Sequence, residues 1–142
     1  MAGVFHWVKI RSFCYATEDE NKLRRIMTDI SGTEDIGIEM SDGHHGNSMA
    51  ILTADIKGDR KCRELFGRLG KDVIGHILRD IDSMIDDDCT FRMRLCKQAA
   101  VSERYEIVRH GDVVSITCKI ASHPARKDIA EKNMIVFLES LL

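Results

Sequence analysis

Apolar residues recur along the chain in two periods, and the switches between them divide it into elements. Residues 4–15, VFHWVKIRSFCY, alternate with period two and predict a long strand. Val8, Ile10 and Cys14 share one of its faces; Phe5, Trp7, Lys9, Arg11, Phe13 and Tyr15 share the other. Thr17-Glu18-Asp19-Glu20 has the spacing of a capping box, and Leu23, Ile26, Met27 and Ile30 follow at i, i+3, i+4 and i+7. That pattern predicts a helix from about 18 to 31, ended by Ser31-Gly32. Ile36, Ile38 and Met40 alternate as a short strand, the turn Ser41 to Ser48 follows, and Met49 to Ile56 form the next strand. Gly58-Asp59 opens a helix with Cys62, Leu65, Phe66 and Leu69 on one face. Beyond Gly70 a second helix carries Val73, Ile74, Ile77, Leu78, Ile81, Met84 and Ile85, and Asp86-Asp87-Asp88 closes it.

The segment Phe91–Ala100 returns to period two, with Phe91, Met93 and Leu95 pointing one way and Arg92 and Arg94 the other. Tyr105–Arg109 and Val113–Ile120 predict a hairpin turning at His110-Gly111-Asp112. A last helix runs from about 124 to 141, with Pro124 in its first turn. The order β-α-β-β-α-α-β-β-β-α, with short turns between adjacent strands, predicts an α+β fold: a mostly antiparallel sheet with helices packed on it. With no repeat, linker or low-complexity stretch, residues 1–142 are expected to form a single domain. The last helix is apolar on more than one face: Ala130, Met134, Phe137, Leu138 and Leu141 form a stripe, and Ile135, Val136 and Leu142 lie outside it. That surplus needs a second partner, either the sheet plus another helix of the same chain or the same helix of a second copy, and the expectation is a homodimer.

Composition narrows the class. At 44% hydrophobic and 31% charged residues the chain has the make-up of an ordinary globular domain. It has neither an apolar run of membrane-spanning length nor a recognisable leader, so the expected location is cytoplasmic, with no membrane partner. Cys14, Cys62, Cys89, Cys96 and Cys118 are an odd, scattered set with no C-x-x-C pair, which reads as reduced thiols. The net charge is -2, but it is unevenly spread. Residues 1–88 hold 12 Lys+Arg against 17 Asp+Glu, and residues 89–142 hold 9 against 6, which permits a local basic patch on an acidic body.

The phosphate-loop, dinucleotide and G-x-S-x-G signatures are missing, which removes the most readable enzyme classes. His44-His45, between Gly43 and Gly46-Asn47, invites a metal reading, yet adjacent imidazoles diverge and no third ligand is within sequence reach. Asp80, Asp82, Asp86, Asp87 and Asp88 lack calcium-loop spacing and read as solvated. Arg92 and Arg94, about 7 Å apart on a strand, match the spacing of adjacent phosphates. Taken alone, they read equally as a solvated face with salt bridges to Glu103 or Glu106. The aromatic and basic face of the first strand is similarly open, either to stacking and phosphate contact or to cover by helices or a partner.

Several motifs occur together: HHGNS entering a strand, DDD-x-x-FRMRLCKQAA, and GDVVSITCKIASHP before the last helix. With the opening HWVKIRSFCYAT, this combination resembles the archaeal family of predicted exosome subunits, over nearly the whole chain. That family is described as RNA-binding, with a fold similar to the large-subunit ribosomal protein that holds the smallest ribosomal RNA. By this resemblance His44, His45, Gly46 and Asn47 match the loop, Arg94, Lys97, Gln98 and Ala100 the basic strand, and Lys119 and Pro124 the late strand and its exit. Ser48 stands where the family usually has a proline, and Cys96 where it usually has an aspartate.

The resulting expectation is a non-catalytic RNA-binding protein without a cofactor, an accessory of exosome-type RNA processing or degradation. Its partners would be RNA and exosome- or ribosome-associated proteins. The expected contacts are Lys9, Arg11, His44, His45, Asn47, Arg92, Arg94, Lys97, Gln98 and Lys119, with Trp7 or Phe13 stacking on bases. The alternative is a protein–protein adaptor or dimeric scaffold with no direct RNA contact, acting through the apolar last helix and the aromatic first strand.

Overall fold

The computed structural model describes residues 3–42 and 48–142 and resolves the two periods into five strands and five helices. In chain order they are β1 (Phe5–Tyr15), α1 (Glu20–Ser31), β2 (Gly37–Asp42), β3 (Ser48–Lys57), α2 (Asp59–Leu69), α3 (Lys71–Met84), β4 (Thr90–Cys96), α4 (Lys97–Val101), β5 (Val113–Ile120) and α5 (Lys127–Glu139). The fold is α+β, as the patterning predicts. The strands form one sheet in the order β2-β3-β1-β5-β4, and every neighbouring pair is antiparallel.

The sheet is two-faced because the strands alternate. Val8, Ile10, Leu52, Ala54, Val114, Ile116, Phe91 and Leu95 are buried beneath the helices in one hydrophobic cluster. Helices α1, α2 and α3 pack on this side through Leu23, Met27 and Ile30, Leu65 and Phe66, and Ile74 and Ile77. Phe66 is the hub, stacked on Phe5 with ring centroids 5.0 Å apart and meeting Phe91 edge-on at 5.9 Å. Phe5 reaches this cluster because the register of β1 against β5 shifts between Phe5 and Trp7. The irregularity turns Phe5 inward, off the aromatic face that strict alternation assigns to it.

Other departures from the sequence pattern have local causes. Asp19, not Thr17, caps α1 by accepting from the Asn21 N–H at 2.9 Å, while Glu18 is drawn elsewhere. Residues 105–109 do not form a hairpin with β5. They lie along the outer edge of β4, where Leu95 bridges to Ile107, the Val108 N–H donates to the Arg94 carbonyl, and Cys96 N–H donates to Glu106. The last helix starts at Lys127, after Pro124. It buries Ala130, Met134 and Leu138, brings Phe137 against Phe5, and leaves Val136 and Leu142 exposed. None of the described helices is long and apolar enough to cross a membrane.

Candidate nucleic-acid interface

On the second face of the sheet Trp7, Lys9, Arg11, Arg92 and Arg94 are exposed, and the strand register determines which side chains meet there. Directly paired residues of antiparallel strands point the same way, so each row of the ladder is a line of neighbours about 5 Å apart. One row reads Lys57, Trp7, Lys119 and Thr90 across β3, β1, β5 and β4. The next reads Asp55, Lys9, Thr117 and Arg92, and the third Thr53, Arg11, Ser115 and Arg94. Lys9, Arg11, Arg92, Arg94 and Lys119, five of the expected contacts on three strands, therefore converge on one open surface. Asp55 stands within these rows and Glu39 in the row beyond them, while Asp86 reaches Arg92 from the segment before β4.

Lys9, Arg11, Arg94 and Lys119 are held lightly, and Arg92 is held in a close ion pair. Lys9 lies 3.9 Å from Asp55, the two side chains being more than half exposed. The Arg11 guanidinium sits over the Phe13 ring at 5.1 Å, so it covers the platform that Phe13 was expected to offer a base. Arg94 donates to the Arg109 carbonyl at 3.0 Å, and Lys119 to the Asp88 carbonyl. Arg92 pairs with Asp86, and this hydrogen bond, aided by the N–H groups of Thr90 and Asp88, holds the Asp86 carboxyl below its ordinary value. A single acceptor per cation leaves further N–H donors for phosphate oxygens. Between Arg92 and Arg94 the surface dips into a recess of about 360 Å³, with Ser115 and Thr117 in its lining and Asp86 at its rim.

Lys97 is the exception among the expected contacts, and its placement is a correction. Its side chain is 2% exposed, and the ammonium spends all three N–H donors inside the protein. The Phe13 carbonyl lies at 2.6 Å, Glu18 at 2.9 Å and Asp112 at 2.8 Å, with the Tyr15 ring at 5.2 Å. Burial pushes the ammonium toward neutrality, but the hydrogen bonds and charges of Asp112 and Glu18 outweigh it and hold the pKa above its ordinary value. Lys97 is thus a structural pin with no donor left for RNA. Gln98 is exposed on α4, past the end of β4.

His44, His45 and Asn47, with Gly46, lie outside the described residues. The strands that lead into and out of this segment pair at Asp42 and Ser48, on the β2–β3 side of the sheet. In the strand order β3 is three places from β4 and β2 four, so across the sheet the anchors Ser48 and Asp42 stand about 14 and about 19 Å from the Arg92 and Arg94 strand. Among the described residues no group of three or more His, Cys, Asp and Glu side chains is arranged to hold a metal ion.

One member of the face escaped the sequence reading. Lys57 is the last residue of β3 and pairs with Trp7, extending the basic rows to a fourth strand. Its parity with Asp55 and Thr53 is the signal for this place, one residue past the Ile56 end that the pattern predicts.

A family model described as RNA binding matches residues 7–120. The chain belongs to this RNA-binding family. The match runs from Trp7 in β1 to the end of β5 and takes in every strand of the open face. RNA-binding protein PAB1135 of Pyrococcus abyssi is 28% identical, the alignment covering 98% of each chain. Among solved structures, Mth689, a DUF54 protein from Methanothermobacter thermautotrophicus, superposes with a TM-score of 0.79 at 25% identity, over 95% of this chain and 98% of that one. Protein AF2318 from Archaeglobus fulgidus shares the fold, with a TM-score of 0.77 at 20% identity over 97% and 99% of the two chains.

Proposed function

We propose that this member of the RNA-binding family binds RNA without catalysis, through the open face of its sheet. The observation that carries the reading is the convergence of Lys9, Arg11, Arg92, Arg94 and Lys119 on one open surface of the sheet. On an acidic chain, cations gathered in register form a local anion-binding surface. The RNA-binding name of the Pyrococcus relative supports the same partner. Phosphate contacts supply the affinity, and the role is that of an accessory in exosome-type RNA processing or degradation, working in the cytoplasm as a homodimer.

Fluorescence anisotropy of a labelled single-stranded RNA across a potassium chloride series tests the reading. Affinity falls with salt, and replacing Arg92 and Arg94 together by alanine reduces the log–log slope by about 1.4, at ~0.7 per phosphate contact on a single strand. Salt-independent or absent binding overturns it. The adaptor reading has in its favour Val136 and Leu142 at the end of the chain and Trp7 and Tyr15 on the first strand, but the first pair is isolated, as is ordinary on a protein surface, and Trp7 stands among the basic rows. Purification from native lysate separates the two: an accessory acting through RNA loses its companions on nuclease treatment, and an adaptor keeps them. Light scattering of the pure protein reads the dimer.

A further inference from the structure

We propose that Trp7, Lys57, Lys119 and Asp55 form a single-nucleotide subsite that takes an unpaired guanine of a single-stranded RNA segment. The inference rests on the RNA-binding reading and deepens it by naming the base.

Trp7 is 38% exposed on the central strand, in the end row of the open face, with a lysine opposite it on each neighbouring strand. The register sets these lysines on either side of Trp7, and the Lys119 ammonium, resting on the Asp88 carbonyl, keeps two N–H donors for a phosphate beside a base stacked on the indole. A nucleotide presents the complementary pattern, a planar base with a phosphate on either side. Phe13 cannot serve the same way, because the Arg11 guanidinium covers it. Beside Trp7 lies a recess of about 230 Å³ lined by Trp7, Val8, Lys9, Asp55, Ile56 and Lys57. That is below the range of pockets enclosing a whole drug-sized ligand, and suits one planar base.

Asp55 supplies the selectivity. It sits two residues from Lys57 on β3, diagonal to Trp7 and about 7 Å away, within reach of the edge of a base stacked on the indole. Among the described residues its one ion-pair partner is Lys9, at 3.9 Å and beyond hydrogen-bond distance, so both carboxylate oxygens keep lone pairs for a ligand. The Watson–Crick edge of guanine offers N1–H and N2–H side by side, a bidentate match to a carboxylate. Adenine and cytosine offer one amino donor next to a ring acceptor, and uracil one donor between two carbonyls. Against a carboxylate those acceptors are repelled.

Trp7 is the only tryptophan in the chain, so its emission reports directly on this subsite. The experiment titrates the full chain with the heptamers UUUGUUU, UUUAUUU and UUUUUUU at low salt. Tryptophan fluorescence reads the subsite, and competition anisotropy against a labelled RNA reads total binding. The expected result is quenching by all three, with UUUGUUU bound about tenfold more tightly than the others. Trp7→Ala lowers affinity about tenfold, with Trp7→Phe, a smaller stacking surface that preserves packing, falling between. Asp55→Asn abolishes the guanine preference while UUUUUUU still binds. Salt-dependent binding with unchanged Trp7 emission, or with a guanine preference that survives Asp55→Asn, overturns the subsite and leaves the RNA-binding reading standing. Absence of binding to all three heptamers removes both.

Discussion

Replacing Lys97 by methionine keeps the length of the side chain and deletes the ammonium, so it isolates the internal pin from the surface cations. The change removes charge-assisted bonds to Glu18 and Asp112 and leaves the Phe13 carbonyl without its partner. Hydrogen bonds to charged groups contribute about 1.5–3 kcal/mol each, but they are not additive here. Glu18 and Asp112 keep 25% and 36% of their side-chain surface exposed and are rehydrated once the lysine is gone. The desolvation cost of the ammonium is also recovered. The net loss is about 2–4 kcal/mol, which for a chain of this length lowers Tm by about 7–14 °C. Calorimetry and urea unfolding monitored by circular dichroism read it. The pH dependence gives a second signature. Because the folded pKa is raised, the contribution of the ammonium is complete below about 10.5 and is lost as pH climbs through the folded value. Wild type therefore loses stability in an alkaline titration that leaves Lys97→Met flat in this respect. RNA affinity at 20 °C stays within about twofold of wild type. A Tm change under about 2 °C, or a tenfold loss of RNA affinity in a variant of unchanged stability, refutes the assignment of Lys97 to the interior.

Three further outcomes follow from the core and the cysteines. Phe66→Ala empties the hub between Phe5, Phe91 and Phe137 and costs about 3–5 kcal/mol, read as a lower urea midpoint. Asp59→Ala frees the start of β1, since the Asp59 carboxylate accepts from the N–H groups of Val4 at 2.6 Å and Phe5 at 3.0 Å. The expected cost is about 2–3 kcal/mol, with hydrogen exchange accelerating at those amides first. Under Ellman's reagent at pH 8 only half-exposed Cys96 reacts quickly. Cys62, whose pKa burial raises to about 11, and buried Cys14, Cys89 and Cys118 wait for unfolding; a second fast thiol contradicts the packing.

The periods of two and 3.6 carried most of the architecture. Alternation alone put Arg92 and Arg94 on one side of β4 and Lys9 and Arg11 on one side of β1. That these two sides are the same side of the sheet depends on strand order, which pairing across more than a hundred residues decides. Lys97 is more instructive, because parity with Phe91, Met93 and Leu95 already pointed it inward. A lysine is rarely buried without partners, and its partners, Glu18 and Asp112, lie far off in sequence or across a turn. Glu18 looked like part of a helix cap for the same reason. Its second role, accepting from the Tyr15 N–H at 3.1 Å while holding Lys97, exists only after the strands are assembled. Phe5 was misassigned by a single irregularity in register, which leaves no mark in composition.

The place of β1 in the middle of the sheet has a consequence for the order in which this protein is made. β1 is synthesised before both of its neighbours, and Trp7 must find Lys57 on one side and Lys119 on the other. During translation one of its edges is satisfied early, while the other stays open until the last strand emerges more than a hundred residues later. Such distant closure is slow, and an open strand edge in the meantime invites pairing with other chains. The same geometry acts as a completeness check. In a chain halted before β5, nothing sets Arg92 and Arg94 of β4 in register with Lys9 and Arg11, so the basic surface is a property of the finished molecule alone.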